Sequence, residues 1–311
     1  MRSGLRATGL VKPVRKTLGR AAARLVFRLS TKGGTPTVVR GHRMILALKG
    51  EYPAPDMVAD RYEPETTRLF QTLLRPGQTV VDIGAHVGYY TLLAARAVGP
   101  AGSVYAFEPA PENAALLRRN VELNGYQNVV IVSQAVSDRS GHFPLFLNRL
   151  DTGFHSLQKT LQPSDSEAAH AVTVSTITLD AFLEAEGWPR IDVVKMDVEG
   201  GEGMALRGMR GFLQRAGDVT LIIEFCPWIL RRVGSDPSGF LDELSGCGFE
   251  IQMIEATGVS PLTSAARGPL IAKLLDAEGY VNLLCLKQLR DVRSGKTPPA
   301  EPVAAESRPP S

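Results

Sequence analysis

Thr79-Val80-Val81-Asp82-Ile83-Gly84-Ala85-His86-Val87-Gly88-Tyr89-Tyr90-Thr91 is the stretch that decides the fold. Val80, Val81 and Ile83 form a short apolar, β-branched run, the pattern of a strand buried on both faces. Asp82 and Gly84 end it, and Gly88 opens an apolar helical segment from Tyr90 to Val98. Strand, glycine turn and helix together deliver a ligand to a helix N-terminus. Glycines serve there because a Cβ would block the sharp turn and the close approach of a ligand. A dinucleotide asks for Gly-x-Gly-x-x-Gly. Counted from Gly84, the second and third glycines would fall at His86 and Tyr89, which argues against NAD or FAD. A structural turn with no ligand is the plain alternative.

Outward from this stretch the chain alternates. Strand-like runs occur at Val80–Ile83, Val104–Phe107, Val129–Val132, Ile191–Met196, Val219–Phe225, Phe249–Ile254 and Val281–Leu286. Helical segments lie between them at Tyr90–Val98, Glu112–Leu123, Met204–Leu213, around Phe240–Leu244 and at Ala272–Ala277. Strands separated by helices of this length predict βαβ units: an α/β, doubly wound, mostly parallel seven-stranded sheet with helices on both faces. Ahead of it, residues 35–55 read as a hairpin, and Pro64 suits the first turn of a helix that Pro76-Gly77 stops. Residues 138–178 break the rhythm with two extended runs, Phe143–Leu147 and Val172–Ile177, around a polar loop from Asn148 to Ala169. Loops of that length are functional or disordered.

Charge divides the chain. Residues 1–34 hold nine Lys/Arg and no Asp or Glu, so of the net +3 the remainder carries −6. An acidic remainder offers no nucleic-acid-binding surface. Arg20, Arg24 and Arg28 recur every four residues among apolar side chains, which suits an amphipathic helix on an anionic membrane, a transit segment or a disordered basic tail. Residues 35–289 are the expected globular domain, and 290–311, rich in Pro, Ser, Ala and Glu, the expected disordered tail. Cys226, Cys247 and Cys285 are widely spaced, so neither a zinc site nor a disulfide framework is expected. No apolar run has the length of a membrane span. A cytoplasmic location follows, with peripheral contact at the inner face of a membrane through residues 1–30 left open.

The candidate functional residues gather at strand ends. Glu108 ends the second strand, where an acid accepts hydrogen bonds from ribose hydroxyls in doubly wound folds; a helix-capping carboxylate is the alternative. Gln134 and Ala135 follow the third strand, where an adenine edge would lie, or they form a plain turn. Asp197 emerges at the tip of the fourth strand, beside the first, placed for a cofactor amino group or a substrate hydroxyl. Glu199 and Glu202 read as helix-capping carboxylates, and without a further ligand no metal is expected from this trio. Glu224 ends the fifth strand as a candidate base or substrate contact, or as a structural ion-pair partner. His155, in the variable loop, is a candidate base, and His86 lies within the glycine turn.

Asp82-x-Gly84-x-x-x-Gly88 resembles the first motif of S-adenosylmethionine-dependent methyltransferases, whose donor has no pyrophosphate and tolerates a bulkier residue at 86. With Ala106-Phe107-Glu108-Pro109, Asn124-Gly125, Thr178-Leu179-Asp180 and Lys195-Met196-Asp197-Val198-Glu199-Gly200 plus Glu202, the set resembles the FkbM-type family over residues 62–250. The resemblance implies a seven-stranded sheet with strand seven antiparallel, S-adenosylmethionine as cofactor, and O-methylation of a sugar, glycolipid or other natural product. It also implies that Asp82, Gly84 and Gly88 shape the cofactor loop, that Glu108 holds the ribose, and that Asp197 lies at the reaction centre. The family shows Asn where this chain has His86. A nucleotide-binding oxidoreductase and a non-catalytic membrane-peripheral protein are the competing classes.

Overall fold

The computed structural model describes residues 36–46, 54–148, 155–159 and 169–287. The basic segment 1–34, the tail 290–311 and most of the loop between Asn148 and Ala169 lie outside the described residues. The chain opens with a hairpin, β1 (Thr37–Val39) and β2 (His42–Met44), then α1 (Ala54–Val58) and α2 (Pro64–Leu73). Alternation follows: β3 (Thr79–Ile83), α3 (Tyr89–Val98), β4 (Ser103–Phe107), α4 (Pro111–Leu123) and β5 (Val129–Val132). The variable region forms β6 (Ala135–Val136), β7 (Gly141–Asn148), β8 (Ala169–Ile177) and α5 (Leu179–Ala185). Alternation resumes with β9 (Val193–Met196), α6 (Glu202–Arg207), α7 (Arg210–Arg215), β10 (Val219–Phe225), α8 (Pro227–Arg232) and α9 (Pro237–Gly246). The last elements are β11 (Glu250–Glu255), β12 (Gly258–Pro261), α10 (Ser264–Asp276) and β13 (Val281–Lys287).

The main sheet runs β12-β11-β13-β10-β9-β3-β4-β5. β10, β9, β3, β4 and β5 are parallel, and β13 lies antiparallel between β10 and β11. All seven expected strands are present, the seventh antiparallel. The short run Gly258–Pro261 adds an eighth at the edge, paired antiparallel to β11. Strand order reverses between β3 and β9, and there the Asp197 N–H donates to the Ile83 carbonyl at 3.0 Å. Ligands bind at such a switch point in open α/β sheets.

Side-chain alternation divides the core into two layers. Val81, Ile83, Phe107, Val194, Met196, Leu221 and Ile223 meet α5, α6, α7 and α9 on one face. Val80, Val104, Ala106, Val193, Ile222 and Leu284 meet α2, α3 and α4 on the other. The hairpin docks on the end of α4 through two asparagines. Asn120 accepts from the Ile45 N–H at 2.7 Å, and Asn124 accepts from the Arg43 N–H at 3.0 Å.

Three local differences from the sequence reading have physical causes. The helix expected over Met204–Leu213 is two, broken around Gly208. A Cβ there would lie 1.9 Å from the Ser137 carbonyl, so the chain passes too close for a side chain. The helix expected at Ala272–Ala277 begins at Ser264 and carries Pro269 inside it. The extended runs of the variable region form a separate three-stranded sheet, β6-β8-β7. Among the described residues, no helix is long and apolar enough to cross a membrane.

Candidate active site

The carboxyl ends of β3 and β4 open into a crevice. Its walls include Ile83, Phe107, Val136, Leu145, Leu157 and Val198; its polar groups include Glu108, Asn113, Gln134, His155 and Asp197. Gly84, His86 and Ala135 also line it, so seven of the predicted site residues share one cavity. Asp82, Gly88 and Glu224 are not in its lining.

Gly84 has φ 87°, and a Cβ on it would sit 1.9 Å from the Asp197 carbonyl. The neighbouring strand end therefore demands glycine here, before any ligand does. Gly88 caps α3 at φ 96°, and a Cβ on it would meet Leu117 at 2.7 Å. Asp82 points away from the crevice into the protein and accepts from Thr91 Oγ1 at 2.6 Å, tying the strand end to the first turn of α3. Burial pushes its carboxyl up to about 6. Asp82 and Gly88 shape the turn without lining the cavity, whereas Gly84 does both.

Glu108 is held by the turn it faces. The His86 N–H donates to Oε2 and the Ala110 N–H to Oε1, both at 2.8 Å. Burial nevertheless raises its pKa to about 7, against the pull of those two donors and Asn113. Each carboxylate oxygen has a further lone pair for a diol. His86 has φ 51°, unusual for a side-chain-bearing residue, and this conformation aims its N–H at Glu108.

His155 lines the crevice, but as a donor. Its Nδ1 accepts the Asn148 N–H at 3.1 Å, so the neutral ring carries its proton on Nε2. Burial lowers its pKa to about 4. The sequence reading expects a base at 155; with Nδ1 occupied, the ring offers its Nε2–H in this arrangement. Next to it, Ser156 Oγ–H donates to the Glu199 carbonyl at 2.8 Å and pairs with Phe146, fastening this segment over the crevice. Glu202 accepts from the Val198 and Gly200 N–H groups, bracing the turn ahead of α6 rather than capping the helix.

A second group of polar side chains adjoins the crevice through Asp197. On the sheet face covered by α2 and α3, the aliphatic rows give way to Asp82 on β3, Lys195 on β9, Glu224 on β10 and Asn282 on β13. Glu63, which caps α2 in a left-handed conformation, faces this row. It accepts from Tyr90 Oη at 2.5 Å and from Asn282 Nδ2 at 3.2 Å. Lys195 Nζ lies 3.2 Å from Asp197 Oδ2 and 4.9 Å from the Tyr90 ring centre. Burial alone would push the Lys195 pKa down, but Asp197, Glu63, Glu224 and Asp82 together hold it above its usual value. Glu224 is pushed well up, by burial and then by Asp197 and Glu63. Sequence reasoning placed Glu224 in the crevice, and it lies instead in this neighbouring group. It assigned no role to Glu63, Lys195 or Asn282. The available signal was a polar residue inside an aliphatic strand run, as in Val193-Val194-Lys195-Met196 and Val281-Asn282-Leu283-Leu284.

Doubly wound topology with an acid-bearing crevice at the switch point defines a Rossmann-like fold of the ligand-binding kind. The Methyltransferase FkbM domain matches residues 82–251, more than half of the chain. The chain belongs to the FkbM family of methyltransferases, whose methyl donor is S-adenosylmethionine. It is 31% identical over 160 residues to the 31-O-demethyl-FK506 methyltransferase FkbM of Streptomyces tacrolimicus, covering 44% of this chain and 61% of that protein. It is 27% identical over 169 residues to the hexuronic acid methyltransferase AglP of Haloferax volcanii, covering 52% and 63%. A shorter match, 46% identical over 70 residues, is to a protein-L-isoaspartate O-methyltransferase of Aeropyrum pernix, covering 22% and 26%. The chain thus spans between about a quarter and under two thirds of the length of these relatives. The crevice fits the donor chemically: apolar walls for a purine and a buried acid for a ribose diol.

Proposed function

We propose that this chain, through residues 35–289, transfers the methyl group of S-adenosylmethionine to a hydroxyl oxygen of a sugar, glycolipid or other polyhydroxylated small molecule. One observation carries the reading: Asp197 belongs both to the donor crevice and to the acid group beside it. A side chain at that junction can meet donor and acceptor together. Two relatives named for a natural product and a hexuronic acid support the acceptor class.

In this reading Glu108 accepts from the ribose hydroxyls while the His86 and Ala110 N–H groups keep its oxygens in place. Gln134 and Ala135 border the adenine, and His155 donates from Nε2 across the crevice. S-Adenosylmethionine supplies a methyl already activated on a sulfonium. Asp197 aligns the acceptor hydroxyl and takes its proton as the O–C bond forms and the S–C pair leaves on sulfur. Positioning provides most of the acceleration in such a displacement.

The test is a set of thermal melts with S-adenosylmethionine, S-adenosylhomocysteine and NAD. A ligand at 100 times its dissociation constant stabilises the fold by about 2.7 kcal/mol. The expected result is an upward shift with both adenosyl-sulfur ligands and none with NAD. A shift with NAD alone overturns the assignment.

A further inference from the structure

Glu63, Asp197 and Glu224 each bring a carboxylate oxygen to a common point, all within 4.8 Å of one another. They come from three separate elements: the start of α2 and the ends of β9 and β10. Lys195 is the cation among them, and Asp82 adds a fourth carboxylate to its surroundings.

An independent observation comes from the next strand. Asn282 is 7% exposed and stands directly across the β10–β13 ladder from Glu224, on the same side of the sheet. Its Nδ2 donates to Glu63 Oε1 at 3.2 Å and to Thr66 Oγ1 at 2.9 Å. Its Oδ1 is buried without a hydrogen-bond donor. Leaving a buried acceptor unsatisfied costs about 1–3 kcal/mol, and a cation beside it removes that cost.

We propose that Glu63, Asp197, Glu224 and Asn282 Oδ1 form a site for one hard divalent cation, Mg²⁺ or Mn²⁺, in the acid group that adjoins the crevice through Asp197. The donor set is all oxygen, the chemistry these ions select, and it contains no histidine or cysteine to favour zinc. Three carboxylates and one amide oxygen leave coordination positions for water or substrate. The role of the ion depends on the methyl-transfer reading: it would hold the acceptor oxygen beside Asp197 and favour its deprotonation. Binding of the ion does not depend on that reading.

The experiment strips the full chain with a chelator, titrates it with Mn²⁺ and follows free Mn²⁺ by electron paramagnetic resonance, with Mg²⁺ as competitor. The expected result is one Mn²⁺ per chain, displaced by Mg²⁺ and weakened about ten-fold or more by Glu224→Gln and by Asn282→Leu. Circular dichroism melts confirm that each variant is folded; if Glu224→Gln is not, Glu63→Gln gives the same comparison. No saturable binding by the unmodified chain, or binding indifferent to these substitutions, overturns the proposal and leaves Lys195 as the counter-charge among the described residues. S-Adenosylhomocysteine affinity is measured on the same metal-free preparation. Its loss would sink the donor reading alone, and a missing Mn²⁺ site would sink this proposal alone.

Discussion

The two halves of the sheet's carboxyl edge solve the same problem differently. Over β3 and β4, the buried acid Glu108 is held by backbone N–H groups from its own turn and from the turn after β3. Over β9, β10 and β13, Asp197 and Glu224 gather with Glu63 around Lys195. Backbone donors are fixed by the path of the chain, so the first arrangement is preorganised and neutral in its demands. Side-chain charges compensate one another only while all are present, so the second is sensitive to the loss of any one member. The first half suits recognition of an invariant cofactor. The second suits a group whose charge changes during a reaction.

The comparison breaks most visibly at Asp197. Asp197→Asn keeps a hydrogen-bonding partner for Lys195 but removes the base, and turnover is expected to fall about 10²–10⁴-fold. S-Adenosylhomocysteine affinity should change far less. The check is transfer of labelled methyl to a hydroxylated acceptor, alongside calorimetric binding; unchanged turnover removes Asp197 from the mechanism.

Lys195→Met tests the charge balance itself. Removing one partner of a buried ion pair destabilises by about 3–5 kcal/mol. Chemical denaturation should show a loss of that order. A loss near zero would mean that the acids pass their protons to one another and need no ammonium.

The smallest effect is expected at Glu108. Its folded pKa, near 7, lies above the ordinary carboxyl value of 4.5. A raised carboxyl pKa means that the folded state holds the proton more tightly, so this group favours folding most at low pH. That contribution fades as pH rises from about 4.5 to about 7. Glu108→Gln lacks the titration. The stability of the natural chain relative to this variant should therefore decline over that interval and level off above it. Denaturant melts at stepped pH supply the comparison, and a flat difference would place the Glu108 pKa at its ordinary value.

The same contrast explains what could be read from the sequence. The β3 turn, Glu108 and the βαβ rhythm are local: each needs only residues adjacent in the chain, and the structure places Gly84, His86 and Glu108 around one cavity. The acid group is not local. Glu63 read as the start of a helix, and Asn282 as one residue in an apolar strand. Nothing in either stretch announces that α2 and β13 bring them together. His155 shows another limit. Its type suggested a base, but its role depends on the Asn148 N–H that fills Nδ1, a pairing set by the approach of two segments. The extra edge strand went unseen because Gly258–Pro261 is too short and too exposed to carry an apolar pattern.

The antiparallel placement of β13 has a consequence for how the molecule comes into being. β11 joins the main sheet only through β13, and β12 only through β11. A ribosome delivers β13 after both, so the two earlier strands must wait, unjoined to the sheet, for the one that slots between them and β10. Asn282 arrives with that strand. The donor crevice over β3 and β4 can therefore take shape during synthesis, whereas the acidic group gains its last member only when the final segment of the sheet is threaded home.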